Sequence, residues 1–308
     1  MTDFGAIGFG ALNVDKLFTV NKIASAEEES YITSYTEACG GSAANTIAGL
    51  ARLGCKCGFI GKIADDREGI MQLRDLHRNG VNVNGVVHAK NGRSGVAMGF
   101  VDAKGERALY IDSGVNATIS FEEIKPEYAS NTEFLHLTSF VGEKTFKTQT
   151  KLLTTLPERV KVSFDPGTLY ARLGFVKLKS IIRRAFVVMP NFGELELLTR
   201  KTDYRSGAEL LLKEGVKIVA VKLGNKGCYV TDGKESHLIE PFKVKVVDTT
   251  GAGDAFCAGF LYGLLRKKSL HECGQIGNFV ASRCITKMGA RAGLPHLRDL
   301  EFFGQIGS

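Results

Sequence analysis

The sequence predicts an α/β protein: a doubly wound, mostly parallel sheet flanked by helices, with a small β-sheet lid inserted into it. Three observations predict this. From about residue 132 onward, short apolar runs alternate with helical patterns, the rhythm of parallel βαβ units. Strands near 12–37 and 92–114 alternate with period two and break that rhythm. The 308 residues, 44% of them hydrophobic, suffice to bury one large core.

The chain opens with a strand pattern at Ala6-Ile7-Gly8-Phe9-Gly10, then an apolar stretch around Lys16 to Val20. Ser30 to Thr36 alternates as a half-exposed strand does. Gly40-Gly41-Ser42 opens a small-residue helix over Ala43 to Leu53, closed at Gly54. Residues 94–101 and 107–112 read as two strands, joined by the turn-like Asp102-Ala103-Lys104-Gly105. Candidate strands follow at Phe134–Leu137, Val160–Phe164, Phe186–Pro190 and Ile218–Lys222. Helical patterns lie between them, around 143–155, 175–184, 192–199 and 206–214. A further strand is expected to end near Val247, and helices around 252–267 and 270–287 close the chain. The expected division is a core of 1–11, 38–91 and 115–308, with a lid of 12–37 and 92–114.

The net charge of +7 raises the question of nucleic acid, but Lys and Arg are scattered. The short cluster Arg266-Lys267-Lys268 sits at a helix end, where cations complement the dipole. There is no Trp and no basic run interleaved with aromatics, so no nucleic-acid partner is expected. The N-terminal stretch lacks the basic head and apolar run of a signal peptide. No run of ~18 apolar residues exists, so no membrane span is expected and the expected location is the cytoplasm. Seven cysteines without a C-x-x-C pair read as reduced thiols.

The strongest motif is Val246-Val247-Asp248-Thr249-Thr250-Gly251-Ala252-Gly253-Asp254. A glycine turn lets backbone approach an anion, and the helix start that follows favours negative charge. Asp254 there reads either as a general base or as a helix-capping carboxylate. Gly40-Gly41-Ser42-Ala43-Ala44-Asn45 suits a ligand lying against backbone, or close packing of a small-residue helix. Pro190-Asn191-Phe192-Gly193-Glu194 follows a strand, where α/β sheets bind ligands. Glu194 could hold Mg²⁺ through water, or could complete a capping box with Asn191. Val221 to Gly227 (VKLGNKG) suits a nucleotide phosphate, or is a hairpin turn. No G-x-x-x-x-G-K-[ST] occurs, and Gly8-Phe9-Gly10 lacks the third glycine of a dinucleotide fingerprint.

Together these motifs resemble the ribokinase, or PfkB, family of carbohydrate kinases. GGSAANTIAGLARLG at 40–54 is similar to the family's first signature, and DTTGAGDAFCAGFL at 248–261 to its second. PNFGE at 190–194 and KLGNKG at 222–227 match two further segments, and the likeness runs from about residue 6 to 295. The resemblance implies a ribokinase-like fold and transfer of the ATP γ-phosphoryl group to an alcohol. It implies Asp254 as catalytic base, with Gly251, Ala252 and Gly253 as the anion hole. It implies that Asp15, Gly40, Gly41 and Asn45 bind sugar hydroxyls. Asn191 and Glu194 would organise phosphate and Mg²⁺; Lys222, Gly224 and Gly227 would line the ATP site; Asn278 would border the adenine. Asp248 and Thr250, with carbonyls near Cys284 and Gly289, match a monovalent-cation site, and K⁺ is the ion expected there.

The expected acceptor is a sugar, with a nucleoside as alternative. Ser42 stands where ribokinases proper often carry Lys, which argues against ribose itself. Ser163-Phe164-Asp165-Pro166-Gly167 is similar to a segment of archaeal nucleoside kinases and of several sugar kinases. Met98 and Phe100 could cover a nucleobase or pack the lid. Arg93, Arg107 and Arg172 are cations that a phosphosugar would want. Two readings from other classes are a non-catalytic sugar- or nucleotide-binding protein and a nucleotide-dependent oxidoreductase. Tyr31, Tyr35 and Phe100 on an open lid predict a homodimer paired through the lids.

Overall fold

A computed structural model describes residues 2–300; Met1 and 301–308, the two ends of the expected core domain, lie outside the described residues. Along the chain come β1 (Phe4–Phe9), β2 (Asn13–Val20), β3 (Ile32–Cys39), α1 (Ser42–Arg52), β4 (Cys57–Ala64) and α2 (Arg67–Arg78). Then follow β5 (Val81–Ala89), β6 (Gly95–Val101), β7 (Arg107–Asp112), α3 (Pro126–Ser130), β8 (Thr132–Thr138), α4 (Glu143–Thr155) and β9 (Lys161–Asp165). The next stretch holds α5 (Gly167–Ala171), α6 (Gly174–Arg184), β10 (Ala185–Val188), α7 (Phe192–Thr199), α8 (Tyr204–Lys213) and β11 (Ile218–Lys222). The last elements are β12 (Cys228–Thr231), β13 (Ser236–Ile239), α9 (Ala252–Leu265) and α10 (Leu270–Cys284).

The main sheet runs β13-β12-β11-β10-β9-β8-β1-β4-β5. It is parallel from β11 to β5, and the β12–β13 hairpin adds an antiparallel edge. Parallel strands covered by helices on both faces need continuous apolar runs, and β4 (CGFIGKIA) is buried at every position. Alternate residues of β1 serve opposite faces: Ile7 and Phe9 join one apolar cluster, Ala6 the other. This is the doubly wound α/β fold that the sequence predicts.

The smaller sheet, β3-β2-β6-β7, is separate from the main one. Its pairings are antiparallel except β2–β6, which is parallel. Its two faces differ. Phe18 stacks on Tyr35 at 4.9 Å and on Phe100 at 5.0 Å, and Phe100 meets Tyr110 edge-on, a row of four rings across the outer face. Asp15, Leu17, Ala97, Arg107, Leu109 and Ile111 lie on the inner face and line a cleft. Met98 and Phe100 therefore face away from that cleft, so packing the sheet is the role the structure gives them.

The structure adds a βαβ unit, β4, α2 and β5, whose glycines and short polar segments blur its apolar runs in the sequence, and it corrects one expectation. The strand expected to end near Val247 is absent: 240–247 is irregular, and Val246 and Val247 are about half exposed. The alternation Lys243-Val244-Lys245-Val246 has strand period but no neighbouring strand to pair with. Among the described residues, no helix is long and apolar enough to cross a membrane.

Candidate active site

Two clefts meet at the start of α9. The larger, about 650 Å³, is lined by Asn191, Glu194, Lys222, Gly224, Gly227, Asn278, Ala252, Gly253 and Asp254. The smaller, about 280 Å³, lies under the inner face of the small sheet and is lined by Asp15, Gly41, Asn45, Arg107, Gly251 and Asp254. Asp254, Ser42, Thr138 and Ser139 line both. The residues expected to serve ATP and those expected to serve the acceptor thus fall into separate clefts that share Asp254.

The sequence places these groups through turn chemistry. Gly251 stands before α9 at φ +76°, and a Cβ there would press on Ala290. Only glycine enters that turn without strain. Behind Asp15, a side chain at Gly40 would collide with the Asp15 carboxylate, so Gly40 makes room for it without itself lining the cleft.

Asp254 is held by α1. Asn45 Nδ2 donates to its Oδ2 at 2.8 Å, and Thr46 Oγ1 donates to its backbone carbonyl at 3.1 Å. Burial pushes the carboxyl up to about 7, against the Asn45 hydrogen bond; the Asp165 charge adds to the rise. Its Oδ1 has no hydrogen-bond partner among the described residues. Burial also lifts Asp15, to about 6, although Arg291 and Arg107 oppose it.

Lys222, at the end of β11, is paired with Asp165 at the end of β9, Nζ to Oδ2 2.6 Å. Burial works against the ammonium, but Asp165, Cys257 and Glu194 outweigh it and hold Lys222 above its usual value. Lys222 thus sits charged under the turn at Gly253. Glu194 completes a capping box, accepting from the Asn191 amide at 2.8 Å while Asn191 Oδ1 accepts from the Glu194 amide. Its other oxygen has no partner among the described residues, and burial raises its pKa. The capping and cleft-lining readings of Asn191 and Glu194 therefore coexist. Mg²⁺ usually takes one or two carboxylates beside phosphate oxygens and water, and Glu194 fits that pattern. Among the described residues no cluster of three His, Cys, Asp or Glu could hold a metal by itself.

Asn278 lines the larger cleft while its amide donates to the Ile239 and Glu240 carbonyls. Gly224 to Lys226 forms the turn of the β11–β12 hairpin, so the hairpin and cleft readings of KLGNKG also coexist. Asp248, Cys284 and Gly289 stand together beside the smaller cleft without lining it. Asp248 accepts from the Gly289 amide and from Thr250 N and Oγ1, each within 2.9 Å. Burial works against its carboxylate, but those bonds outweigh it and lower the pKa. The Cys284 thiol points at the Thr250 and Ala290 carbonyls, and burial pushes it up to about 12.

Sequence reasoning missed Asp165 as the partner of Lys222, and Arg291 altogether. Asp165 ends a core strand, a position where ligands bind in such sheets, and that signal was readable. Arg291 lies in the loop after α10, and nothing local marks it.

A sequence profile described as pfkB family carbohydrate kinase matches residues 7–297. A protein of Archaeoglobus fulgidus described as an uncharacterized sugar kinase is 46% identical over 251 residues, 82% of this chain and 100% of that protein. An ATP-dependent ribose-1-phosphate kinase of Halopiger xanaduensis is 34% identical over 284 residues, 92% of each chain. The crystal structure of a ribokinase from Thermotoga maritima superposes with a TM-score of 0.87 at 27% identity, covering 98% of this chain and 99% of that one.

Proposed function

We propose, because the chain belongs to the pfkB family of carbohydrate kinases and is an ATP-dependent phosphotransferase with an alcohol acceptor, that it phosphorylates a sugar hydroxyl with Asp254 as general base. One observation carries this reading: Asp254 stands where the two clefts meet, with one oxygen held by Asn45 and the other without a partner among the described residues. ATP with Mg²⁺ supplies the phosphoryl group and neutralises charge on it. The chain supplies position and field. The Gly251–Gly253 turn and the α9 dipole favour an anion, and Lys222 adds a fixed positive charge close by. Asp15 accepts from acceptor hydroxyls, and Asp254 takes the proton of the attacking one. The small sheet acts as a lid that keeps water from the transfer. We take the enzyme to be cytoplasmic and to pair through its lids.

A specific feature favours a second acceptor class, a sugar phosphate. Arg107 lines the acceptor cleft, its charge acts on Asp15 and Asp248, and among the described residues it makes no direct ion pair. The Halopiger relative is by its name a ribose-1-phosphate kinase. Arg107 would meet such a phosphate. The cluster of Asp248, Thr250, Cys284 and Gly289 is our candidate K⁺ site. Its carboxylate and carbonyl oxygens suit a hard ion, and the protonated Cys284 thiol packs beside them.

The test is ADP release with ATP and Mg²⁺ on a panel of free sugars, nucleosides and sugar phosphates. Wild type, Asp254→Asn and Arg107→Met are compared, in K⁺ and in tetramethylammonium. Acceptor-dependent turnover should fall roughly 10²–10⁴-fold in Asp254→Asn. Turnover that survives there removes Asp254 as the base. Arg107→Met should raise KM for a sugar phosphate and spare a free sugar. A wild type indifferent to K⁺ discards the cation site.

A further inference from the structure

Asn45 is an amide, and an amide can turn over. Facing Asp254 with Nδ2 it donates to the carboxylate; turned over it would set Oδ1 against that carboxylate, acceptor against acceptor. Something has to decide between the two, and Asn45 does not decide alone.

The other end of Asn45 meets Arg291. This side chain is buried, at 6% exposure, in the loop after α10. Its Nε donates to Asn45 Oδ1 at 2.8 Å, its Nη2 to the Gly40 carbonyl at 2.8 Å, and its Nη1 pairs with Asp75 of α2. A guanidinium has donors only. A turned-over Asn45 would therefore present NH₂ to an N–H donor on one side and oxygen to a carboxylate on the other. Both contacts repel, so only one orientation is stable. Arg291 is itself fixed at the backbone: Arg52 donates to its carbonyl at 2.7 Å, and Arg52 also binds Asn79, which donates to Asp75.

We propose that Arg291 is a positioning residue, which fixes the Asn45 amide so that it always donates to Asp254 Oδ2 and leaves Oδ1 as the oxygen that meets the acceptor hydroxyl. The inference rests on the reading of Asp254 as base. Arg291 also donates to Gly40, against which Asp15 packs, so one cation orders the supports of both carboxylates in the acceptor cleft. The groups that bear on Asp254 electrostatically are Asp165 of β9, Lys222 of β11, Asp15 of β2, Cys257 of α9 and Cys284 of α10. The Asn45 hydrogen bond holds its pKa down. Release of Asn45 therefore moves the titration of Asp254 to higher pH.

The experiment is a double-mutant cycle of Arg291→Met and Asn45→Ala, read as kcat against pH with the acceptor that the panel identifies. Arg291→Met alone should lower kcat roughly 10- to 100-fold by misplacing the base, move the acid limb upward, and leave KM for ATP unchanged. In the Asn45→Ala background the same change should cost little, because the amide it orients is gone. Equal losses in both backgrounds, or an acid limb that stays put, overturn the proposal. If Arg291→Met shows no cooperative melt, Asp75→Asn loosens the same guanidinium: a smaller upward shift of the limb supports the proposal, and an unmoved limb overturns it. Full activity in Asp254→Asn would instead sink the base, whatever Arg291 does.

Discussion

As the base we propose, Asp254 must lose its proton before it can accept another, and its surroundings make that loss costly. Burial raises the carboxyl from 3.8 to about 7. The sign follows from linkage. The unfolded chain releases this proton near its ordinary value, while the folded chain keeps it to about pH 7. The stability gained by a neutral Asp254 is thus complete below about pH 4 and is lost as pH rises through about 7. Two outcomes are expected. kcat should rise through pH 7 to a plateau, because only the carboxylate can serve as base. Asp254→Asn should melt higher than wild type at pH 8, with the gap closing toward pH 4. An acid limb of kcat near pH 4 would mean a solvated carboxylate and would contradict the burial. Asp15 is raised to about 6; if it binds the acceptor as proposed, a second step should show in kcat/KM.

At the scale of elements, the turn before α9 couples the helix that carries Asp254 to the loop after α10. Gly251 at φ +76° touches Ala290, the residue before Arg291, so a side chain there disturbs both. Gly251→Ala should cost on the order of 1–3 kcal/mol in stability from the positive φ. It should also lower kcat beyond what that destabilisation explains, since the displaced loop carries the Asn45 anchor; calorimetry beside kinetics separates the two. An Ala variant with wild-type melting and turnover would show that this turn tolerates a Cβ. Elements whose signals are local were legible in the sequence. The α4 pattern at 143–155 and the α7 box of Asn191 and Glu194 coincide with the structure, because capping and 3.6-residue periodicity act within one turn. Val246 and Val247 misled, because strand alternation means nothing without a partner strand. Arg291 was illegible for a related reason: its three acceptors come from α1, α2 and Gly40, about 215 to 250 residues away, and only the fold brings them together.

The whole molecule has an asymmetry that follows from the pleat of its smaller sheet. Alternate residues point to opposite faces, so a sheet that spends Asp15, Leu17, Arg107 and Leu109 on the smaller cleft must send Phe18, Tyr35, Phe100 and Tyr110 outward. Tyr35 and Tyr110 remain 46% and 60% exposed. An aromatic row of that kind on one chain is what a second copy would cover, and a two-fold axis through the sheet would let each row meet its equal. The same pairing would stiffen the small sheet and, if that sheet is the lid we propose, tie acceptor closure to assembly. Sedimentation at micromolar concentration should therefore give a dimer, and Tyr110→Asp should give a monomer that melts normally but binds acceptor more weakly. A wild-type monomer at that concentration would end the pairing argument. A monomeric Tyr110→Asp with unchanged KM for the acceptor would keep the dimer and free the lid from it.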